Sequence, residues 1–163
     1  MAARNGLVKS MADLEMIREN LKALLPEQAK WEFKETWVAF DFSRLKRSLM
    51  RVTDEQINGT FPIEWSKYRV FGDERFSNGS AFICIDETEG SIRRIDLELE
   101  DPLSFFATNS GRFATAFRLL DQYFASQRQT PEELATQLRL ADAEAFDAGS
   151  HWRLLSDYLK SKN

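Results

Sequence analysis

Three groups of residues in this chain have the types needed for chemistry. Asp86, Glu87 and Glu89 place three carboxylates within four positions, and hard divalent cations take several oxygen ligands at once. Glu87→Gln would test such a metal-dependent hydrolase. The plainer reading, a solvated hairpin tip, is preferred, because nothing in the sequence marks an acid with a raised pKa. His151 is the one histidine, so a histidine-based triad and a multi-histidine metal site are excluded by count. Its place beside Trp152 at the start of a helix suits a surface or capping role better than that of a lone base. Cys84 lies between Ile83 and Ile85 in an apolar run. Reactive thiols sit in exposed, electropositive settings, so a packing role is expected. Neither GxGxxG nor GxxxxGK occurs, which leaves no phosphate-binding loop. Trp31, Trp37, Trp65 and Trp152 read as core or rim residues and not as a base-stacking platform, which needs adjacent basic charge, whereas the sheet region is acidic. No cofactor is implied, and a small-molecule ligand is not expected.

The charge pattern points towards binding. The net charge is −4 and the pI about 5.2, which disfavours the phosphate attraction behind non-specific nucleic-acid binding. Seven acids and two arginines lie between Asp86 and Asp101, so this segment alone carries −5. Complementary charge steers encounter, so a partner with a basic surface would meet Glu87, Glu89, Glu98, Glu100 and Asp101. A small basic cluster, Arg44, Lys46, Arg47 and Arg51, stands apart. With one cysteine there is no intrachain disulfide, which fits a reducing compartment. No apolar run nears the roughly 20 residues that span a bilayer, and the N-terminus lacks a signal-peptide core. A cytoplasmic protein with no membrane partner is expected.

The elements that must position these residues follow from periodicity. The 163 residues make one domain with a real core, residues 1–9 frayed. Ser10 caps a helix to about Leu25, where Pro26 stops it. Residues 31–42 fit neither period cleanly, but aromatics and Val38 favour extended structure. Ser43–Arg51 reads as helix, and residues 53–55 as a short helical turn ended by Asn58-Gly59. Lys67–Phe71 reads as a strand ended by Gly72, with residues 73–80 a loop. Ala81–Asp86 is a central strand, 87–90 a tight turn, and Ser91–Glu98 the return strand. Ser104–Phe124 reads as a short strand, a turn capped by Asn109 or Ser110, and a helix. Phe113, Ala116, Phe117, Leu120 and Phe124 recur on one face of that helix, and the rest of the chain is expected to pack around them. Thr130-Pro131-Glu132-Glu133 starts another helix. Residues 142–148 are short and helical, and a last helix carries Trp152, Leu155 and Leu159. Helices, then strands, then helices give an α+β fold with a central antiparallel sheet flanked by N-terminal and C-terminal helices.

Three stretches in order resemble the SUKH superfamily, and within it the fourth immunity-protein subgroup encoded beside bacterial polymorphic toxins. The first is Val70-Phe71-Gly72-Asp73 with Phe82-Ile83-Cys84-Ile85-Asp86 and Gly90. The second is Phe106-Ala107-Thr108-Asn109-Ser110 leading to Phe113 and Phe117. The third is Asp142-Ala143-Glu144-Ala145-Phe146 and then Ser150-His151-Trp152. The likeness covers about residues 65–160, and the N-terminal third shows no match. It implies the same α+β fold, no catalysis, and stoichiometric binding of a cognate protein toxin, a nuclease or deaminase, whose active site is blocked. A scaffold or regulatory module of the same fold, with no toxin partner, is the alternative.

Overall fold

A computed structural model of the chain describes residues 14–55, 61–126 and 128–162. The fold is α+β. A seven-stranded antiparallel sheet comprises β1 (Gln28–Phe33), β2 (Thr36–Asp41), β3 (Met50–Arg51), β4 (Tyr68–Phe76), β5 (Gly79–Asp86), β6 (Ile92–Ile95) and β7 (Leu103–Ala107). Its order is β1-β2-β4-β5-β6-β7, with β3 paired to β4 beside β2. Helix α1 occupies residues 14–24 at one end of the chain. After the sheet come α2 (Ser110–Ser126), α3 (Pro131–Ala141), α4 (Ala143–Asp147) and α5 (His151–Ser161). No helix among the described residues is long and apolar enough to cross a membrane.

The phenylalanine stripe of α2 does what its spacing predicts. Asn109 Oδ1 accepts the Arg112 amide at 2.9 Å and so caps the helix. Phe113, Ala116, Phe117 and Leu120 are then buried in one large cluster with Leu21, Leu25, Phe42, Phe71, Phe106 and Trp152. Ring centroids lie 5.2 Å apart for Phe42–Phe117 and 5.4 Å for both Phe71–Phe113 and Phe113–Trp152. Such pairs add about 0.5–1.5 kcal/mol each beyond their area burial. A smaller cluster of Val52, Trp65, Tyr68, Val70, Cys84 and Ile95 covers the other face of the sheet. The middle of the sheet is thus buried on both sides, which is why β5 reads as an unbroken apolar run.

Several boundaries differ from the sequence reading. Ser43–Arg51 is a single 3-10 turn, Ser43–Lys46, and then β3. Residues 31–42 resolve into β1 and β2 of a hairpin, with Lys34 at φ 54° in its turn. Val52–Asp54 makes the expected short turn; Asn58-Gly59, Ser10 and residues 1–9 lie outside the described residues. The return strand ends at Ile95 rather than Glu98. Most informative is β4, which continues through Gly72 to Phe76. Its pairing with β5 shifts register between Val70 and Gly72. This bulge lets Phe71 and Gly72 both address the helix side while Val70 faces the other cluster. Gly72 is there because a Cβ would lie 2.7 Å from Phe42 Cδ1, and that ring is buried and held by Phe71 and Phe117. The glycine marks a close approach inside a strand, not a strand end. Overpacking at this point costs about 1–3 kcal/mol. Gly72→Ala should therefore lower the urea midpoint by that much stability, and an unchanged midpoint would contradict the packing.

Candidate functional site

Asp86 closes the β5–β6 turn. Its Oδ1 accepts the Thr88 amide at 2.9 Å, the Thr88 hydroxyl at 2.6 Å and the Glu89 amide at 3.2 Å, and Gly90 supplies φ 79°. Burial alone would raise the Asp86 carboxyl, but the Thr88 and Glu89 donors and Lys67 outweigh it and hold it below the ordinary value. Glu87 pairs with Arg69 at 2.8 Å and Glu89 faces Arg93 at 3.5 Å. The three carboxylates are directed into the turn and to arginines, and no group of three His, Cys, Asp or Glu among the described residues could hold a metal ion. Burial pushes the Cys84 thiol far up, so it packs as a thiol.

Glu98, Glu100 and Asp101 lie elsewhere. They sit on an exposed loop, residues 97–101, between β6 and β7. This loop meets the start of β5, where the Glu98 carboxyl carbon is 3.9 Å from a Cβ built on Gly79. Asp86 is at the opposite end of that strand. Seven steps of about 3.3 Å put the two acidic groups roughly 23 Å apart. The structure therefore brings Glu98, Glu100 and Asp101 together and keeps Glu87 and Glu89 apart from them. The loop acids make no ion pair among the described residues, while Leu97 and Leu99 beside them are 42% and 48% exposed.

What positions this loop is a line of charged residues on the helix side of the sheet. Glu74 on β4 is 2% exposed; its Oε1 accepts Arg94 Nε at 2.6 Å, and its Oε2 lies 3.2 Å from His151 Nε2. Arg94 on β6 reaches Asp96 Oδ2 at 3.7 Å. Asp96 Oδ1 in turn accepts the Glu98 amide at 3.0 Å, and the Asp96 amide donates to Pro102 O at 2.9 Å, closing the loop. His151, Glu74, Arg94 and Asp96 thus tie the start of α5 to the acidic loop. The sequence places Glu74 in a loop and gives His151 a surface or capping role; in the structure Glu74 is on β4, and the histidine is half-buried against Phe106, with ring centroids 5.0 Å apart. The available signal was Ile92, Arg94 and Asp96 alternating on one strand face, where charges in place of apolar residues call for buried partners.

These charges lie at one end of a groove of about 440 Å³. Leu154, Leu155 and Tyr158 of α5 form one wall, Phe33, Trp37 and Val38 of the β1–β2 hairpin the other, and Leu99 of the acidic loop stands at its margin. Helix α5 is held at both ends. His151 meets Glu74 at its start, and at its far end Lys34 Nζ donates to Lys162 O and Tyr158 packs on Phe33. The remaining apolar surface is left open, with Leu154 58% and Tyr158 39% exposed.

Comparison with known protein families, curated proteins and solved structures gave no match.

The buried pair sets a pH dependence. Burial alone would raise the Glu74 carboxyl, but His151 and Arg94 more than offset this and hold it below the ordinary value. A carboxylate depressed on folding stabilises the fold above its unfolded value of about 4.3, and that contribution is lost as pH falls through the folded value. The urea midpoint should therefore drop on acidification below about pH 4. Glu74→Gln removes the hydrogen-bonded carboxylate of the buried pair and leaves Arg94 only Asp96 at 3.7 Å; breaking such a pair costs up to about 3–5 kcal/mol at neutral pH, and the acid limb should flatten. An acid limb of unchanged steepness would assign the dependence to other carboxylates such as Asp86.

Proposed function

We propose that this chain is an immunity protein that binds and neutralises a cognate bacterial protein toxin with a basic surface, a nuclease or deaminase, in the cytoplasm. Binding is stoichiometric and covers the toxin's active site; the chain itself performs no catalysis. The observation that carries this reading is the 97–101 loop. Glu98, Glu100 and Asp101 are exposed without a cationic partner among the described residues, and they alternate with exposed Leu97 and Leu99. Unpaired surface acids bring self-repulsion rather than stability, whereas beside apolar anchors they suit a basic partner. The SUKH resemblance supports the same reading through the residues that carry it. Phe106, Phe113, Phe117 and Trp152 are core residues, so partner choice falls to surface residues such as this loop. Glu87 and Glu89 contribute less, since Arg69 and Arg93 lie beside them.

Co-expression with the product of the neighbouring toxin gene should rescue growth and yield a stable complex; no rescue and no complex would sink the reading. Within that complex, Glu98→Lys with Glu100→Lys should slow association by about tenfold or more at low ionic strength, and less as salt screens the charges. Glu89→Lys should change the rate much less. Equal effects from the two sites would remove the loop from its leading role.

A further inference from the structure

We propose that the groove between α5 and the β1–β2 hairpin receives one large apolar side chain from a segment of the partner protein, with a lysine or arginine beside it in that segment reaching the acidic loop. This deepens the binding reading above, on which it rests, by naming the chemistry of the segment.

Three observations carry it. The groove's volume of about 440 Å³ falls in the range of roughly 300–1,000 Å³ typical of ligand clefts. Its walls are apolar, and Leu154 and Tyr158 are large apolar or aromatic side chains on it that keep substantial exposure. Large buried apolar anchors are what such surfaces take from a protein partner. The second observation is Arg94, which lines the groove and is only 6% exposed. Its Nε is used by Glu74, yet its terminal nitrogens make no hydrogen bond among the described residues, and Asp96 stands off at 3.7 Å. Those nitrogens are not among the buried unpartnered atoms; they keep contact with solvent, and donors open to solvent can turn to a main-chain carbonyl of an inserted segment. The third is charge. Glu74 and Asp96 offset Arg94 at that end of the groove, so an anionic ligand gains little there. Glu98, Glu100 and Asp101 beside Leu99 make the adjoining rim negative and favour a flanking cation. The same rim argues against a second copy of this chain, because a two-fold contact here would bring two negative rims into one interface.

The test is an NMR amide titration of the full chain with an acetylated, amidated peptide, GSKKWKKSG. Two control peptides replace the tryptophan by serine or all four lysines by glutamate. Shifts at residues 97–101 and 151–159 are expected, with affinity at least about tenfold weaker for either control. Leu154→Glu, at a position exposed enough to keep the fold, should weaken the first peptide about tenfold, while Leu154→Met should not. Equal binding of either control, shifts confined to other surfaces, or indifference to Leu154→Glu would overturn the inference. So would a concentration-dependent dimer abolished by Leu154→Glu, which would give the groove to a second copy. The titration needs no toxin. A toxin complex that forms without the groove defeats this inference alone, and peptide binding without any toxin complex defeats the immunity reading alone.

Discussion

The buried contact between Glu74 and Arg94, 2.6 Å long and almost free of solvent, fixes how this fold meets its surroundings. Elsewhere the helix side of the sheet is covered by aromatic rings, which pack without direction. Here two charges must find each other and their neighbours, because a lone buried charge costs several kcal/mol. That requirement links β4 to β6 across the intervening β5, draws His151 down on to Glu74, and holds Asp96 where it shapes the loop that follows. The ionic pair contributes more to placing elements than to net stability, which comes from the phenylalanine core around α2.

This division explains the groove. Near β7 and the middle of the sheet, Phe106, Phe113 and Trp152 close the space between helices and strands. Towards the β1–β2 hairpin, α5 is pinned at its two ends and the space between is not filled. An 11-residue helix spans about 16 Å, enough to leave a slot along its length. The acidic loop stands at the mouth of that slot because Asp96 ties it to the same charges. Apolar groove and acidic rim are therefore one surface produced by one set of contacts.

Much of the fold was legible in the sequence, for identifiable reasons. The α2 stripe, the Thr130 cap, which accepts the Glu133 amide at 3.1 Å, the Gly90 turn and the central β5 strand all depend on local pattern. What was not legible depended on contacts far apart in the chain. Gly72 reads as a strand end until Phe42, 30 positions earlier in the sequence, is seen to occupy the space of its missing side chain. Ser43–Arg51 has helical spacing, yet Met50 and Arg51 are drawn into pairing with β4. The candidate site divides in the same way. Acidic charge was visible as composition, but its separation to the two ends of β5 and β6 needed the topology. The groove needed α5, which lies 77 positions from the residue that anchors it.

The central claim is that the partner is bound at the 97–101 loop and along α5. Hydrogen–deuterium exchange of the chain, alone and with the proposed toxin partner, addresses this most directly. Slowed exchange in residues 97–102 and 151–159, with the 87–90 turn unchanged, is the predicted result. Slowing confined to the 87–90 turn, or to residues 52–55 and 61–67 on the far side of the sheet, would contradict it.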